Sequence, residues 1–402
     1  MAARGVYRTP VVFPARSFNS LDKTTMHRRP IFSYVRRVAM TDSKTEALTT
    51  ALAQTIDPIL VRPLSELGYV TSARVKRLGS ASIGVLLPVP GPPGHAVIEA
   101  VTTAAQQVDG VRSVQIQHEL MTDEQRAELM EQVRGEKKPV GSAGSSTYVI
   151  AVSSGKGGVG KSSVTTNLAV SLASLGHTVG VIDADVWGYS IPKMLGAEGA
   201  PAVIADSIIP LRAYGVSVIS IDYFVPDGQA VVWRGPMLHK ALEQFLTDVF
   251  WDDPEFLLID MPPGTGDIAI SISQFVPRAR VLLVTTPQPT ASRVASRAAR
   301  MADRVDQKVI GVVENMSWFV GDDGKHYEIF GSGGGADLAE DTGTDLLAQI
   351  PILPAMRSGA DRGEPVTVAA PGSEAAHAFD DLARKLIQTR PKIRTHPELR
   401  IG

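Results

Sequence analysis

The chain has 402 residues, of which 44% are hydrophobic and 20% charged, a balance typical of globular domains that bury a core. Its 40 Lys and Arg residues against 42 Asp and Glu residues exclude a globally basic nucleic-acid-binding protein. The absence of cysteine excludes disulfides, zinc fingers and thiolate-ligated iron–sulfur clusters built by this chain alone. No apolar run reaches the roughly 18–20 residues of a membrane-spanning helix, so we expect a soluble protein without a membrane partner.

Residues 1–42 form a basic extension. Asp22 is the one acid among the first 39 residues, and these also carry Arg4, Arg8, Arg16, Lys23, Arg28, Arg29, Arg36 and Arg37. An Arg-rich, acid-poor start is typical of a mitochondrial presequence. The alternative, which we favour, is that translation begins at Met40 rather than Met1 and that the protein is cytoplasmic. Both interpretations predict disorder over 1–42.

A small α+β domain is predicted over residues 43–119. Hydrophobic periodicity gives its elements in the order α-β-β-α-β, namely a helix over 44–55, strands over 69–76 and 81–87, a helix over 95–107 and a strand over 111–117. The Pro- and Gly-rich segment 88–94 is predicted to be a rigid loop. Residues 120–146 are predicted to form a polar helix over 121–134 and then a flexible Gly/Ser/Lys-rich linker.

The element order and the segment DPILVRPLSELGYV resemble the small MIP18-type domain that often precedes iron–sulfur assembly ATPases. In that family the Pro-rich loop commonly carries a cysteine, whereas here Gly91, Pro92 and Pro93 stand in its place. The alternative interpretation is a generic α+β module.

The third predicted domain, over residues 147–390, begins with a nucleotide-binding motif. The apolar strand 148–152 is followed by G-x-x-x-x-G-K-S over 155–162 and then by a helix that ends at Gly176. Glycines in such a loop let backbone N–H groups surround a polyphosphate. We expect Lys161 to reach the β- and γ-phosphates and Ser162 to bind Mg²⁺. The predicted ATP-binding residues here are Ser154, Gly155, Lys156, Gly157, Gly158, Val159, Gly160, Lys161, Ser162 and Ser163.

Carboxylates follow two further predicted strands. The strand 178–183 ends in Asp183 and is followed by Asp185, and the strand 256–260 ends in Asp260. Acids at such positions can orient Mg²⁺ and the attacking water in phosphoryl transfer. We expect Asp260 to bind Mg²⁺ through water and the segment Gly264, Thr265, Gly266 and Asp267 to sense the γ-phosphate as switch II. The alternative is that these acids cap turns or helices.

Strands predicted over 280–286 and 308–315 complete an alternation of strands and helices. Ligand residues at the carboxyl ends of such strands are typical of a doubly wound α/β fold with a mostly parallel sheet. Residues 391–402 are predicted to be a tail. The expected fold is therefore a P-loop NTPase domain preceded by a small α+β domain.

The loop KGGVGKS carries an early lysine, Lys156, and resembles the deviant Walker A loop of the MinD/ParA class. The segments SSGKGGVGKSS, VIDADVWGYSIPKMLG, LLIDMPPGTGD, VTTPQ, GVVENMSWFV and FGSGGG resemble, in this order, the Mrp/ApbC ATPases, which are described as homodimeric iron–sulfur cluster carriers. The resemblance implies that Lys156 reaches the nucleotide of a second subunit, that Asp185 positions water, and that Asp183 supports the metal shell. It also implies that Asn315 binds adenine.

Catalysis is accordingly expected from Lys156, Lys161 and Asp185, with ATP and Mg²⁺ as cofactors, and metal binding from Ser162, Asp183 and Asp260. The resemblance further implies client apoproteins or assembly proteins as partners. In many members of the family a Cys-x-x-Cys pair follows the segment NMS, but here residues 319–325 read FVGDDGK. Asp322, Asp323 and His326 are poor substitutes for thiolates. We therefore expect ATP binding and hydrolysis without a cluster bound by the usual pair.

Three rival functions follow from other features. Arg293, Arg297, Arg300 and Arg304 share one predicted helical face, which a DNA-partitioning ATPase could use, but such a face is usually solvated and we expect no nucleic-acid partner. A membrane-positioning ATPase would end in an amphipathic helix, which Pro391 and Pro397 disfavour. A scaffold that uses ATP only as a conformational switch is the third.

Overall fold

A computed structural model describes residues 43–134, 139–142, 145–186, 188, 190–224, 235–264, 267–321 and 323–391. The predicted basic extension and residues 392–402 of the predicted tail lie outside the described residues, as do Thr265, Gly266 and Asp322.

The N-terminal unit, residues 43–134, is built on a three-stranded sheet. Its elements are α1 Ser43–Gln54, α2 Leu64–Leu67, β1 Val70–Val75, β2 Ser80–Leu87, α3 Gly91–Gln106, β3 Ser113–Leu120 and α4 Asp123–Arg134. Strand β2 lies in the centre, antiparallel to β1 and parallel to β3. Burial alternates along β2 because one face of the sheet packs on the helices. The predicted order α-β-β-α-β is present, with the short α2 added.

The predicted rigid loop over 88–94 is wrong in its second half. Helix α3 begins at Gly91, four residues before the predicted start, and Pro90 precedes it in extended conformation. Pro92 and Pro93 lie in the first turn, where the N–H that proline lacks would have no partner in the helix. Prolines at these positions therefore start the helix instead of preventing it.

The elements from residue 148 to residue 389 form the second unit, which we call the nucleotide-binding fold because it contains the predicted nucleotide-binding motif. They are β4 Tyr148–Ser154, α5 Lys161–Ser174, β5 Val179–Asp183, α6 Ile191–Met194, β6 Ala202–Ile204, β7 Ser207–Ile209, β8 Leu211–Ala213, β9 Val216–Ser220, α7 Gly235–Thr247, β10 Phe256–Asp260, α8 Asp267–Phe275, β11 Arg280–Thr285, α9 Pro289–Arg304, β12 Val309–Val320, β13 His326–Tyr327, α10 Gly334–Thr342, β14 Leu346–Ile352, α11 Pro354–Arg362, α12 Val366–Ala369 and α13 Glu374–Thr389.

Nine of these strands build a mostly parallel sheet in the order β13-β12-β11-β4-β10-β5-β9-β8, with β14 paired to β12, while β6 and β7 form a separate antiparallel pair. The outer strands β13 and β8 run antiparallel to their neighbours. The register sets Asp260 beside both Val152 and Asp183, so the carboxyl ends of three neighbouring strands are level. This alignment brings the predicted acids together at one edge of the sheet.

Apolar layers cover both faces of the large sheet. Helices α7, α8 and α9 contribute to one layer, and α5 and α13 contribute to the other. A third cluster fills the N-terminal unit and also includes Ile204, Ile209 and Phe250 from the nucleotide-binding fold. The core of the N-terminal unit is therefore completed by residues far away in sequence.

Part of the segment predicted as a flexible linker packs against the fold that follows it. Val140 is buried, and its N–H donates to the carbonyl of Leu246 at 3.0 Å. A side chain at Gly141 would overlap Val149 and Val276. Burial of the apolar Val140 holds this part of the segment in place, although its other residues are mostly small and polar. In the part of the chain that the structure describes, no helix has the length and apolarity to cross a membrane.

Candidate nucleotide-binding site

The loop between β4 and α5 encloses a cavity of about 360 Å³. Gly158 and Gly160 have φ angles of 80° and 79°, a backbone conformation that residues other than glycine rarely adopt. Gly155 lies against α9, and a Cβ there would come within 2.3 Å of the backbone N of Ala295. The lining residues are Ser154, Lys156, Gly157, Gly158, Val159, Gly160, Lys161, Ser162, Ser163, Asp185, Gly188, Ser190, Met194 and Pro263.

Lys161 lies between two of the predicted carboxylates. Its ammonium Nζ is 2.7 Å from Oδ2 of Asp260 and 3.5 Å from Oδ2 of Asp185. All three side chains are almost fully buried. The structure therefore brings Lys161, Asp185 and Asp260 together, and the buried positive charge offsets the cost of burying the acids.

Two hydroxyls bind the Asp260 carboxylate. Ser162 donates to Oδ2 at 2.6 Å, and Thr165 donates to Oδ1 at 2.9 Å. Thr165 was not among the predicted site residues. Its position four residues after Lys161, on the same face of α5, is the signal that could have indicated it.

Asp183 is fully buried and anchors the start of α6. Its Oδ2 accepts N–H groups of Ser190 and Ile191 at 3.1 and 3.2 Å and the Ser220 hydroxyl at 3.3 Å. Burial raises the pKa of Asp183 above its ordinary value, and the neighbouring Asp260 carboxylate raises it further. The N–H groups and Lys161 partly offset this rise. Asp183 thus fixes the chain that follows Asp185.

Lys156 is bound within the same chain to a residue that the sequence analysis gave no role. Its Nζ donates to the Oε1 of Gln288 at 3.1 Å, and its backbone carbonyl accepts the Ser154 hydroxyl at 3.1 Å. Gln288 precedes the first residue of α9. The motif VTTPQ contains this glutamine, but a sequence motif alone does not identify its partner.

Asn315 packs against the loop that contains the cavity. Its Nδ2 donates to the carbonyl of Val159 at 2.9 Å, and a Cβ at Gly160 would come within 2.2 Å of the same nitrogen. Asn315 is 3% exposed and does not line the cavity as described. The observed contact is therefore structural, and the adenine contact remains a prediction.

The predicted switch II is described in part. The N–H of Gly264 donates to the carbonyl of Ser154 at 2.9 Å, which connects this segment to the loop around the cavity. Asp267 is the first residue of α8, while Thr265 and Gly266 lie outside the described residues. A movement of Gly264 would thus displace or break its hydrogen bond to Ser154, the last residue of β4.

The position of the missing cysteine pair is a hairpin between β12 and β13. Asp323 accepts the N–H of Lys325 at 3.1 Å and the hydroxyl of Tyr327 at 2.9 Å, and the ring of His326 stacks on Trp318. Within the described ranges, no group of three or more His, Cys, Asp or Glu side chains could hold a metal ion. The donor set present here does not fit an iron–sulfur cluster, because such clusters require thiolates.

Comparison with known proteins gives a consistent result. A family model described as ParA, NUBPL iron-transfer P-loop NTPase, matches residues 145–387. Iron-sulfur cluster carrier proteins of Mycobacterium bovis and Deinococcus radiodurans are 45% and 44% identical to the chain over 355 and 346 residues. These alignments cover 86% and 85% of this chain and 93% and 94% of the relatives.

A solved structure of a nucleotide-binding protein from Archaeoglobus fulgidus, in complex with ADP, is also similar. It is 31% identical, has a TM-score of 0.51, and the match covers 68% of this chain and 99% of that one.

Proposed function

Because the chain belongs to the NUBPL-type iron-transfer P-loop NTPase family, whose members include iron-sulfur cluster carrier proteins, we propose that it binds and hydrolyses ATP with Mg²⁺. We further propose that it acts as a homodimer in the delivery of clusters to apoproteins. The observation that carries the proposal is that Lys161, Ser162 and Asp185 line one cavity, while the Asp260 carboxylate binds both Lys161 and Ser162.

In the proposed reaction, backbone N–H groups of the loop and the Lys161 ammonium bind the phosphates. Ser162 and, through water, Asp260 would hold Mg²⁺, Asp183 would support these ligands, and the metal would neutralise the charge that develops on the phosphates. Entry of the phosphates gives Lys161 a new anionic partner, which frees Asp185 to orient the attacking water. Water then displaces ADP from the γ-phosphorus, and the products are ADP, phosphate and a proton.

Lys156 has a separate role in the proposal. In the single chain it is satisfied by Gln288, a neutral partner that an anionic phosphate can replace. Binding of Lys156 to the nucleotide of a second copy would connect ATP to dimer formation. Gln288 would keep Lys156 away from its own nucleotide until that copy arrives.

The cluster itself is treated as cargo. The sequence contains no cysteine, and the hairpin over 318–327 offers no suitable ligands in its described part, so the thiolates must come from the apoprotein or from an assembly protein. The contribution of this chain is then an ATP-dependent change of conformation in a partner complex.

The test of hydrolysis compares Asp185→Asn with wild type. We expect nearly normal ATP affinity and much slower phosphate release, because the amide keeps the shape of the side chain but loses the charge that orients water. Asp345→Asn, on an exposed side chain, is the control. Lys161→Ala should instead lower ATP affinity by roughly tenfold to a hundredfold, as expected for a charge-assisted contact. Equal hydrolysis by wild type and Asp185→Asn would contradict the assignment.

A further inference from the structure

A second cavity lies at the opposite edge of the large sheet. We call it the basal pocket; its volume is about 300 Å³, and the lining residues used below are Ser145, Thr147, Arg278, Arg280 and Arg390. It lies where β4 and β11 begin, whereas the ATP cavity lies where β4 ends. The seven residues of β4 separate the two cavities by roughly 20 Å.

The described lining of the basal pocket carries positive charge and no negative charge. Arg278, Arg280 and Arg390 line it, and none of its described lining residues is Asp or Glu. In the described part of the chain, Arg278 and Arg280 form no side-chain hydrogen bond or ion pair. Positive charges that line one concave surface favour the binding of an anion there.

Arg390 is held rigidly at the rim. Its Nη1 pairs with Oε1 of Glu255 at 2.7 Å, its Nη2 donates to the carbonyl of Ser146 at 3.1 Å, and the group lies over the ring of Phe256. Glu255 is shared with His177, whose Nδ1 lies 2.9 Å from Oε2. This carboxylate therefore neutralises the charge of Arg390 and leaves Arg278 and Arg280 without an acidic partner among the described residues.

The other wall carries hydroxyl groups from the segment that connects the N-terminal unit to β4. Ser145 accepts the N–H groups of Gly141 and Thr147, both at 3.2 Å, which fixes the shape of this wall. The hydroxyl oxygen of Thr147 is buried and has no hydrogen-bond partner among the described residues. A buried hydroxyl without a partner is costly, and a rotation of the Thr147 side chain would present it to a ligand oxygen in the pocket.

We propose that the basal pocket binds a small phosphorylated molecule through its phosphate group. The guanidinium groups of Arg278 and Arg280 can each donate two hydrogen bonds to a pair of phosphate oxygens. Hydroxyl groups of the other wall can donate to the remaining phosphate oxygens. The volume is that of a small-molecule site and not of a polymer groove. Because residues 145–147 form one wall and Arg278 and Arg280 the other, the bound phosphate fastens the connecting segment to the sheet.

The test titrates inorganic phosphate into the full chain by calorimetry. A slowly hydrolysed ATP analogue and Mg²⁺ are present at saturation, so that the γ-phosphate position of the other cavity is filled. We expect one phosphate per chain and at least tenfold weaker binding in the Arg278→Ala/Arg280→Ala variant. The Arg77→Ala/Arg384→Ala variant, which removes the same charge from exposed positions elsewhere, should bind phosphate as wild type does.

A second variant separates binding from folding. Thr147→Val keeps the shape of the side chain and removes the unpaired hydroxyl, so the variant should fold normally but bind phosphate several-fold more weakly. Phosphate should also slow hydrogen exchange at residues 145–149 in wild type. Glycerol 3-phosphate should bind at least as tightly as inorganic phosphate.

Three results would overturn the proposal. The first is no phosphate binding once the ATP analogue is bound. The second is an equal loss of phosphate affinity in both double-arginine variants, which would indicate only a general effect of net charge. The third is exclusion of glycerol 3-phosphate, which would make the pocket a site for a free inorganic ion and not for a phosphorylated molecule.

Discussion

Asp57 is a fully buried carboxyl in the N-terminal unit, far from the nucleotide site in sequence. Its Oδ2 accepts the N–H groups of Ile59 and Leu60, while its Oδ1 is buried and has no hydrogen-bond partner in the described part of the chain. Burial raises the pKa of Asp57 from 3.8 to about 6, and the two N–H groups and Arg212 only partly offset this. The charged form of Asp57 is therefore unfavourable in the folded protein.

Asp57→Asn should stabilise the protein at neutral pH. Since folding raises the pKa of Asp57, the folded chain binds the proton more tightly, and wild type loses stability as pH rises from about 4 to about 6. A shift of about two pKa units corresponds to at most about 3 kcal/mol. The amide still accepts both N–H groups but cannot ionise, so the gain in unfolding free energy should be present near pH 8 and vanish near pH 4.

Urea unfolding of wild type and Asp57→Asn across this pH range measures the effect. Asp109→Asn, an exposed position in the same unit, is the control and should leave the pH dependence unchanged. A stability difference between wild type and Asp57→Asn that stays constant with pH would contradict the argument.

At the scale of elements, the nucleotide loop is held by its contact with α9. The backbone of Gly155 passes so close to this helix that a Cβ would come within 2.3 Å of both the N of Ala295 and the carbonyl carbon of Val294. Gly157, in the same loop, has open space, with Pro263 at 4.0 Å as the nearest atom to a Cβ. The two glycines therefore serve different purposes in one motif.

Gly155→Ala should displace α9 or the loop, lower thermal stability and weaken ATP binding, whereas Gly157→Ala should leave thermal stability unchanged. Overpacking against backbone costs roughly 1–3 kcal/mol of stability. Thermal unfolding and ATP titration of the two variants provide the measurement, with Gly157→Ala as the matched control. Equal thermal stability of Gly155→Ala and Gly157→Ala would contradict this argument, because it would mean that α9 moves away from the loop without a loss of stability.

Elements with strong local signals could be predicted from the sequence, and long-range contacts could not. The apolar strands before Lys161 and Asp260 were predicted because central parallel strands are apolar throughout. The start of α3 at Gly91 was missed because prolines favour both loops and first helical turns. The partnership of Lys156 with Gln288 spans 132 residues, and no local pattern encodes such a distance.

At the scale of the whole molecule, we expect ATP and not iron to control assembly. Lys156→Ala should retain much of the ATP binding of the single chain but weaken the ATP-dependent dimer and its turnover, because the proposed contact to the nucleotide of the second copy is lost. Lys240→Ala, at an exposed position on α7, is the control. The measurement is sedimentation with ATP and Mg²⁺, before and after reconstitution with iron and sulfide. A stoichiometric cluster in the isolated protein, or a dimer that requires iron and ignores ATP, would contradict this view.

The N-terminal unit and the nucleotide-binding fold share one apolar core. Ile204 and Ile209 from the β6–β7 hairpin, together with Phe250, join the cluster that fills the N-terminal unit. Polar contacts support the same junction, because Arg62 pairs with Asp252 at 2.6 Å and Arg134 binds the Ser207 hydroxyl at 3.0 Å. We therefore propose that residues 43–134 are stabilised by the fold that follows them and do not act as an independent module.

Phe250→Ala tests this coupling. Phe250 is 3% exposed, and removing such a ring leaves a cavity that costs roughly 3–5 kcal/mol. If the core is shared, the loss should appear as faster hydrogen exchange in β1, β2 and β3, although Phe250 lies outside the N-terminal unit. Val203→Ala, on the same hairpin as Ile204 but 56% exposed, should leave exchange in the small sheet unchanged. Unaltered protection of the small sheet in Phe250→Ala, with destabilisation confined to residues 147–390, would mean that the two parts fold separately.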